Sequence, residues 1–444
     1  MSGWRSNFGA PSMGIILLQR RQCRAALRFP ASVLESRRTP NTESPMPDGA
    51  RAESENSDIF APNLKDTPYW WEAAPRVTAV PAAPPASADV VVVGSGFTGL
   101  NAAIDLARAG RSVVVLDAED LGHGGSTRNA GYVGQTLKHS FRDLQQSYGD
   151  AFAVEVYREM KAAFDSVAER VEKEQIACGF KVRGRIILCK SRRQYDDVAD
   201  EFERRRKHLG TEFHMMSAQE VRAEVASELF MGGLMVPSLG SIHPGLYHQG
   251  LLDRARAAGA TLIGRTPATA IVPEAKGFEV QTPMGRIRAR DVLVATNGYT
   301  GPLIPWLQRR IIPFDAHMIA TTPLDPAVVQ RILPQDRTYI DHVHDVISLR
   351  RSPDNTRLLF LWRTGTRPST PRKKGAQLHA DAARIVPEFA KLKIAHSWTG
   401  RCAGTFNLWP HLTRHKGVHF AGGYCFAGLP MGTYLGRKAA ARIL

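Results

Sequence analysis

The chain has 444 residues, of which 43% are hydrophobic and 23% charged, and its formal net charge is +16. This length is enough for two or three domains with full cores, and the composition is that of an ordinary globular protein. No apolar run approaches the roughly 18 residues that cross a bilayer, so the sequence predicts no membrane-spanning helix.

The positive charge is spread along the chain. The basic clusters are short, at 192–193, 204–207 and 372–374, and we interpret them as solvated faces of helices. A phosphate-tracking protein needs its basic residues on one face, so we do not expect a nucleic-acid partner. The five cysteines never form a C-x-x-C pair, which argues against a metal site or a disulfide framework and favours a reducing compartment, the cytoplasm.

The first 60 residues are rich in Ser, Pro and Arg and show no apolar periodicity. We expect residues 1–60 to form a disordered or targeting-like extension, because such a segment cannot offset the cost of ordering. Its arginines and scarce acids resemble a mitochondrial transit peptide, and a second interpretation is that translation begins at Met46. A lead-in segment and a Pro/Ala-rich linker follow at 61–88.

The next stretch predicts a strand, a glycine-rich turn and a helix. Asp89–Val93 is a continuous β-branched run, typical of a parallel strand buried on both faces. Gly94, Gly96 and Gly99 follow with G-x-G-x-x-G spacing. Leu100–Ala109 then continues as a helix. In this motif the first glycine allows a tight turn, the second lets a pyrophosphate approach the backbone, and the third lets the helix pack closely on the strand.

The second strand of the unit ends in an acid. Ser112–Leu116 is again apolar and β-branched, and Asp117 follows it. A carboxylate about twenty residues beyond the glycines accepts hydrogen bonds from both ribose hydroxyls of an adenosine and repels a 2′-phosphate. The diphosphate would then lie at the helix N-terminus, beside Phe97 and Thr98. The unit therefore predicts dinucleotide binding.

Two further glycine-rich segments indicate a cofactor longer than NAD. The polar loop 122–134 is too long for a simple turn and can follow a pyrophosphate and ribityl chain, with Ser126 and Arg128 offering donors. Residues 418–440 again read as strand, glycine-rich loop and helix. A helix that starts near Pro430 would direct its positive end at a group that becomes anionic, as the pyrimidine edge of a flavin does on reduction. We therefore expect FAD.

Helices and strands alternate through the middle of the chain. The pattern predicts helices at 152–174 and 192–210, a strand at 184–191, a helix and strand over 247–263, and a hairpin that leads into a buried strand over 278–298. This alternation is typical of an α/β architecture.

Taken together, these motifs resemble the D-amino-acid oxidase (DAO) family of FAD enzymes, and most of all its gamma-glutamylputrescine oxidoreductase branch. The resemblance is carried by DTPYWWE at 66–72, GSTRNAGY at 125–132, the segments at 294–324 and 351–360, WTGRCAGTFNLWP at 398–410 and GGYCFAG at 422–428. It covers nearly everything from residue 66 to the end.

The resemblance implies an α/β protein with two domains. A Rossmann-type FAD-binding domain is built from the discontinuous segments 89–170, 236–305 and 398–444, and an α+β substrate domain with an antiparallel sheet comprises 171–235 and 306–397. It also implies oxidation of the carbon–nitrogen bond of an amine or amino acid, such as a gamma-glutamylputrescine-like substrate. The substrate carbon gives a hydride to the flavin, the imine is hydrolysed, and oxygen or another carrier takes the electrons.

By position, the resemblance and the motifs together imply a set of cofactor contacts: Gly94, Gly96, Phe97, Thr98, Gly99, Asp117, Ser126, Thr127, Arg128, Asn129, Gly131, Ala268, Thr296, Gly428, Leu429 and Gly432. We expect FAD to be held without a covalent bond. Cys402 stands three residues before Thr405, which resembles the cysteine that holds flavin in monomeric sarcosine oxidase. Its other interpretation is a small buried residue.

The substrate side departs from the family. Phe426 occupies the last loop where the family usually has glycine, histidine and glycine, which predicts a more apolar pocket beside the flavin ring. Arg350 and Arg363 flank a predicted strand, and either could bind a substrate carboxylate through both of its forked donors or form a surface salt bridge. His243, in a turn, is interpreted as structural. The sequence shows no acid–base pair, and hydride chemistry does not require one.

Two other functions stay open. A tRNA wobble-uridine modification enzyme contains the same domain and would suit the basic charge, although it joins that domain to a methyltransferase half that this sequence does not show. In a non-catalytic flavin-binding protein, Phe426 and Trp362 would block the pocket.

Overall fold

The computed structural model describes residues 59–341, 347–367 and 369–444, without the side chain of Arg363. The predicted N-terminal extension therefore lies outside the described residues, except for its last two positions. Phe60 already belongs to a strand that pairs with Ile394. The first described strand thus begins at the last residue of the predicted extension.

Twenty strands form three sheets in the described part of the chain. In chain order they are β1 (Phe60–Lys65), β2 (Ser87–Val93), β3 (Val113–Leu116), β4 (Tyr132–Val133), β5 (Lys181–Val182), β6 (Arg185–Cys189), β7 (His214–Ser217), β8 (Gly232–Val236), β9 (Gly240–Ser241), β10 (Thr261–Ile263), β11 (Ala270–Glu274), β12 (Gly277–Thr282), β13 (Gly285–Val294), β14 (Ile312–Thr321), β15 (Thr338–Asp341), β16 (Ser348–Arg351), β17 (Leu358–Gly365), β18 (Ile394–Gly404), β19 (His411–His415) and β20 (Val418–Gly422).

Eleven α-helices connect these strands within the described ranges. They are α1 (Trp70–Ala73), α2 (Phe97–Arg108), α3 (Phe141–Tyr148), α4 (Asp150–Lys173), α5 (Arg192–Leu209), α6 (Ala218–Arg222), α7 (Pro244–Ala257), α8 (Pro305–Gln308), α9 (Pro326–Ile332), α10 (Pro371–Ile385) and α11 (Gly428–Ile443). Each helix and strand predicted from the sequence is present, with ends that differ by a few residues. The α/β fold class is confirmed.

The sheet that carries the glycine motif has the strand order β10-β3-β2-β13-β12-β11, with β20 also paired to β13. The strands β10, β3, β2, β13 and β20 run parallel. Val90 and Val92 belong to one hydrophobic cluster, together with residues of α2 and α11. Val91 and Val93 belong to a second cluster. Because successive residues of a strand point to opposite faces, β2 is buried on both sides, as its valine run predicts.

A nine-stranded sheet lies beside it, in the order β1-β18-β14-β17-β16-β15-β6-β8-β7. Six of its eight strand pairings are antiparallel, and the pairs β1–β18 and β15–β6 are parallel. Strands from both predicted pieces of the substrate domain belong to this sheet. The sheet also contains β1 and the residues of β18 after position 397, which lie outside that predicted domain. The domain division itself stays a prediction.

The basic clusters of the sequence lie mostly in ion pairs on helix surfaces. On α5, Arg192 pairs with Asp196 and Arg204 with Asp200, each at 2.9 Å. Both pairs have i,i+4 spacing, which places the partners on one face of the helix. The interpretation as a solvated helix face is therefore confirmed for these arginines of α5, but not for Arg205, which is buried. In the described residues, no helix is long and apolar enough to cross a membrane.

Candidate cofactor and substrate site

The turn after β2 brings the start of α2 against the end of the sheet. Gly94 has a φ of +107°, and a Cβ built on it would lie 2.9 Å from the Ala295 carbonyl oxygen. A Cβ on Gly99 would lie 2.0 Å from the carbonyl oxygen of Gly94. Both positions therefore need glycine, one for the tight turn and one for the close packing of helix on strand, as the motif predicts.

The helix α2 begins without a side-chain cap. Its N-cap residue is Gly96. The Phe97 N–H donates to Ser126 Oγ at 2.9 Å, and a Cβ on Gly96 would lie 2.9 Å from the same oxygen. Because the N–H groups at a helix N-terminus favour negative charge, this end of α2 and the Ser126 hydroxyl are suited to a phosphate.

Asp117 follows β3 and faces the same turn. Its Oδ2 accepts hydrogen bonds from the Ser95 N–H at 2.8 Å and the Ser95 hydroxyl at 2.6 Å, and its Oδ1 accepts one from the Glu119 N–H at 3.1 Å. Burial raises the pKa of this carboxyl, although these hydrogen bonds favour its ionised form. Ser95 is fixed from behind, since His248 Nε2 donates to its carbonyl oxygen at 2.7 Å. The carboxylate is thus held in one orientation.

A cavity of about 450 Å³ opens beside this turn, and we call it the glycine-turn cavity. Five of the predicted cofactor residues line it: Gly94, Gly96, Asp117, Ala268 and Thr296. They come from segments far apart in the sequence and meet at the carboxyl ends of parallel strands. This is the edge of an open α/β sheet at which nucleotides bind.

Two tryptophans of the lead-in segment hold the polar loop that follows β3. Trp70 Nε1 donates to the Asn129 carbonyl oxygen at 2.8 Å, and Trp71 Nε1 donates to the Thr127 hydroxyl at 3.0 Å. The Arg128 guanidinium lies 4.7 Å from the centre of the Trp71 ring. Residues that precede the glycine unit therefore fix the shape of the second loop.

A second cavity of about 310 Å³, the central cavity, meets the first at Ala295, Thr296 and Tyr299, which line both. Its walls come from the start of α2, the polar loop, the loop before α11 and the nine-stranded sheet. The predicted residues on it are Phe97, Thr98, Ser126, Arg128, Asn129, Thr296, Phe426, Gly428 and Leu429. The two cavities are therefore adjacent, and they share these three residues as a common wall.

Four predicted cofactor contacts lie behind the cavity walls instead: Gly99, Thr127, Gly131 and Gly432. The Thr127 hydroxyl donates to the Gly122 carbonyl oxygen at 2.6 Å. A Cβ on Gly131 would lie 2.2 Å from the Ile242 carbonyl oxygen, and one on Gly432 would lie 3.3 Å from Thr98 Oγ1. These residues pack closely behind the walls and line neither cavity, and their contact with the cofactor stays a prediction.

The N-terminus of α11 opens onto the central cavity. Its N-cap residue, Ala427, provides no side-chain cap, and Gly428, Leu429 and Pro430 line the cavity. The two adjacent cavities thus have a helix N-terminus at α2 and another at α11, each of which favours negative charge. These residues fit FAD, whose diphosphate is anionic and whose flavin ring gains negative charge on reduction.

All the charged side chains that line the central cavity are cationic. They are Arg128, Lys138, Arg185 and Arg401, and among the described residues no Asp, Glu or His lines it. The other titratable groups on its walls have pKa values raised by burial, so they stay neutral at physiological pH: Tyr132, Tyr299, Tyr424, Cys402 and Cys425. The described walls offer positive charge but no carboxylate or imidazole that could act as a base.

Arg350 does not have either of its two predicted roles. Its side chain is 4% exposed, and Nη1 donates to the carbonyl oxygens of Ala130, Gly131 and Ile242 at 3.0, 3.3 and 3.2 Å. It does not line the central cavity, so it is neither a substrate ligand nor a surface salt bridge but a buried support for the polar loop. The side chain of Arg363 lies outside the described residues, and its role stays a prediction.

Phe426 lies at the rim of the central cavity, with 40% of its surface exposed. It has a φ of +76°, which is unusual for a residue with a side chain. Its ring centre is 5.0 Å from that of Phe314, and the Lys138 ammonium lies 4.7 Å from it. Phe426 therefore forms the predicted apolar wall at the edge of the cavity and does not fill it. Trp362, the other predicted blocking residue, does not line the cavity.

His243 has its plainer, structural interpretation, whereas Cys402 is only half-buried and lines the cavity, so non-covalent binding of FAD stays a prediction. Cys402 lines the central cavity from β18, and burial raises the pKa of its thiol to about 12. Since the thiolate is the nucleophile, this environment disfavours a covalent bond to flavin. His243 is the N-cap residue of α7, where its Nδ1 accepts a hydrogen bond from the Leu246 N–H at 3.1 Å.

Sequence reasoning missed Arg185, the first residue of β6. The signal was present, because a charged residue opens a strand, RIILC, whose residues are all buried. A charge is rarely placed in such a strand unless it has a partner. Arg185 lines the central cavity.

Comparison with known proteins gives three main findings. A family model described as FAD dependent oxidoreductase (DAO) matches residues 89–442. The chain is 29% identical to the probable oxidoreductase OrdL of Haemophilus influenzae and 28% identical to the gamma-glutamylputrescine oxidoreductase of Escherichia coli, in each case over 80% of this chain and 83% of the relative. The crystal structure of glycine oxidase from Geobacillus kaustophilus superposes with a TM-score of 0.67 at 21% identity, over 81% of this chain and 95% of that one.

Proposed function

Since the chain belongs to the DAO family of FAD-dependent oxidoreductases, we propose that it oxidises the carbon–nitrogen bond of a small-molecule amine or amino acid. The single observation that carries this proposal is the central cavity. It lies beside the N-terminus of α11, and the charged side chains on its described walls are all cationic.

In this proposal FAD occupies the two cavities. The N-terminus of α2 and Ser126 would hold the diphosphate, Asp117 the ribose, and the N-terminus of α11 the flavin end. When bound, FAD supplies a hydride acceptor, so the protein has only to bind and orient the substrate.

The walls of the central cavity select the protonation state of the substrate. Its cationic side chains and the rim residue Phe426 disfavour an ammonium group, both by like charge and by removing water. The amine would therefore react in its neutral form, whose free lone pair assists loss of hydride from the neighbouring carbon. Since no carboxylate or imidazole lines the described walls, the amine would lose its proton to solvent before it reacts.

We propose a gamma-glutamylputrescine-like substrate, and hence a place in polyamine catabolism. The support is the likeness to the Escherichia coli gamma-glutamylputrescine oxidoreductase over 80% of this chain. A cytoplasmic location and reoxidation by oxygen or another carrier belong to the same proposal. The open cavity, with Phe426 at its edge and Trp362 outside its walls, supports a catalytic protein over a non-catalytic flavin carrier.

The test is an anaerobic screen of the purified yellow protein. Amines and amino acids, with gamma-glutamylputrescine among them, are mixed with the enzyme, and the absorbance of oxidised flavin is followed. We expect at least one of them to bleach the flavin. If none does while dithionite still does, the proposed amine oxidation is contradicted.

A further inference from the structure

Arg185 is the buried arginine, among the described residues, that both lines a cavity and lacks a carboxylate partner; Arg350 and Arg351 lack one too, but neither lines the central cavity. It is 4% exposed and lines the central cavity from β6. Arg170 and Arg205 are also buried, but each has a carboxylate within salt-bridge distance, Asp105 and Glu201 respectively. Among the described residues, no carboxylate lies within 4.0 Å of Arg185. No anionic side chain among the described residues therefore compensates its charge.

Its hydrogen bonds leave donors unused. Nε donates to Thr338 Oγ1 at 3.2 Å, and Nη2 donates to the Val133 carbonyl oxygen at 3.4 Å. The guanidinium also lies 4.9 Å from the centre of the Tyr132 ring. Nη1 has no hydrogen-bond partner among the described residues. Since a guanidinium has five N–H groups, at least two of them are available to a ligand.

The backbone leaves space beside these free donors. Residue 134 is glycine, and a Cβ built there would lie 2.8 Å from Arg185 Nη1. Gly134 lines the same cavity. The absence of a side chain thus keeps the end of the guanidinium open to the central cavity.

The surroundings of Arg185 favour the binding of an anion. Burial, and to a smaller extent the positive charge of nearby Arg350, lower the pKa of Arg185 to about 10. Arg185 nevertheless stays charged at neutral pH. A buried cation without a paired anion is costly, so an anionic ligand that enters the cavity would be strongly favoured there.

The other two arginines of the cavity are less available. Arg128 donates through Nε to the His123 carbonyl oxygen at 2.7 Å and through Nη1 to that of Thr399 at 3.1 Å. Arg401 is half exposed and paired with Asp315 at 3.2 Å. Arg185 is the buried one of the three and has the free Nη1.

We propose that Arg185 binds a carboxylate of the substrate, so that the enzyme selects amines that also carry a carboxylate over simple diamines and polyamines. This inference rests on the proposed function. It assigns substrate recognition to β6, and the fork of the guanidinium fits a carboxylate through two parallel hydrogen bonds. A free diamine, with two positive charges and no anion, would meet only cations in this cavity.

The test measures binding without turnover. Anthranilate and 2-aminobenzamide differ only in a carboxylate against a neutral amide, and neither has a hydrogen on the carbon that bears the nitrogen, so neither can be oxidised. Their affinities for the yellow full-length protein are measured by calorimetry. Since a hydrogen-bonded charge pair contributes roughly 10- to 100-fold in affinity, we expect wild type to prefer anthranilate by about that factor.

Four variants separate the role of Arg185 from a general effect on the fold. Arg185→Met should abolish the preference for anthranilate, and Arg185→Lys, which keeps the charge without the fork, should reduce it. Gly134→Ala should reduce it too, because its Cβ displaces Nη1. Arg351→Met is the matched control: Arg351 is 7% exposed in the same sheet, donates to Gln330 Oε1 and does not line the cavity. It should keep the full preference.

The same comparison is then made with substrates. Gamma-glutamylputrescine carries a free carboxylate, whereas N-acetylputrescine presents the same amine without one. We expect Arg185→Met to raise the KM of the first and leave that of the second unchanged. If Arg185→Met does not fold, Gly134→Ala and Arg185→Lys decide the question.

A wild-type protein that binds both probes equally, or an Arg185→Met variant that keeps the preference for anthranilate, would overturn the assignment. Failure of the proposed function looks different. In that case Arg185 still confers the preference for anthranilate, but no amine bleaches the flavin.

Discussion

Trp71 gives the sharpest test of how the cofactor loop is held, because it lies in a segment that precedes the family match at 89–442. Its Nε1 donates to the Thr127 hydroxyl at 3.0 Å, and its ring lies 4.7 Å from the Arg128 guanidinium. Arg128 also lines the central cavity. Replacing Trp71 by Ala removes both contacts while leaving every residue of the cavity in place.

The expected loss follows from those two contacts. A neutral hydrogen bond contributes about 1 kcal/mol and a partly desolvated cation–π contact about 0.5–2 kcal/mol. If FAD binding requires the ordered loop, Trp71→Ala should weaken it by about 1.5–3 kcal/mol, or roughly 10- to 150-fold in Kd. Trp71→Phe keeps an aromatic face for Arg128 and loses only the hydrogen bond, so it should weaken binding by about fivefold.

The assay is a titration of apoprotein with FAD, followed by the change in flavin fluorescence, for wild type and both variants. The three Kd values should rise in the order wild type, Trp71→Phe, Trp71→Ala. If Trp71→Ala binds FAD as tightly as wild type and is equally stable, the lead-in segment does not position the loop, and the reasoning fails.

Four more outcomes are expected. Gly96→Val places a side chain at the N-terminus of α2 and should be purified colourless. Cys402→Ser should stay yellow, and acid should release the flavin from it as from wild type; flavin that stays in the wild-type pellet would contradict this. The rate of flavin reduction at saturating amine should rise with pH through an apparent pKa below the roughly 10.4 of a free alkylamine, whereas a falling rate would indicate a different reactive form. Glu174, whose pKa the bidentate Arg108 lowers from 4.5 to about 2, stabilises the fold above pH 4.5 and progressively less as the pH falls toward 2; Glu174→Gln should lower Tm at pH 7 and differ less from wild type at pH 3–4.

The cofactor half of the site could be predicted because it depends on local backbone chemistry. The glycine spacing at 94–99 requires a turn that only glycine can make, and the acid after β3 lies at a fixed distance along the chain. Both signals are contained in about thirty consecutive residues of one βαβ unit. The same logic placed the helix that starts near Pro430.

The substrate half could not be predicted in the same way, because it depends on which strands become neighbours. Arg185 and Arg350 are both buried arginines of the nine-stranded sheet, and the sequence does not show that one lines the cavity while the other donates to the backbone. Those roles follow from the order β16-β15-β6 and from Gly134, which lies beside Arg185 only in the folded protein. Long-range packing of this kind leaves no periodic signal.

The central claim, that this FAD enzyme takes a hydride from the carbon beside an amine nitrogen, is tested most directly by isotopic substitution. An amine that bleaches the flavin is prepared with deuterium on that carbon, and anaerobic flavin reduction is followed by stopped flow at saturating concentration. The account predicts that reduction of the flavin slows several-fold and that one carbonyl product forms per flavin reduced. Equal rates for both isotopologues, together with no carbonyl product, would contradict it.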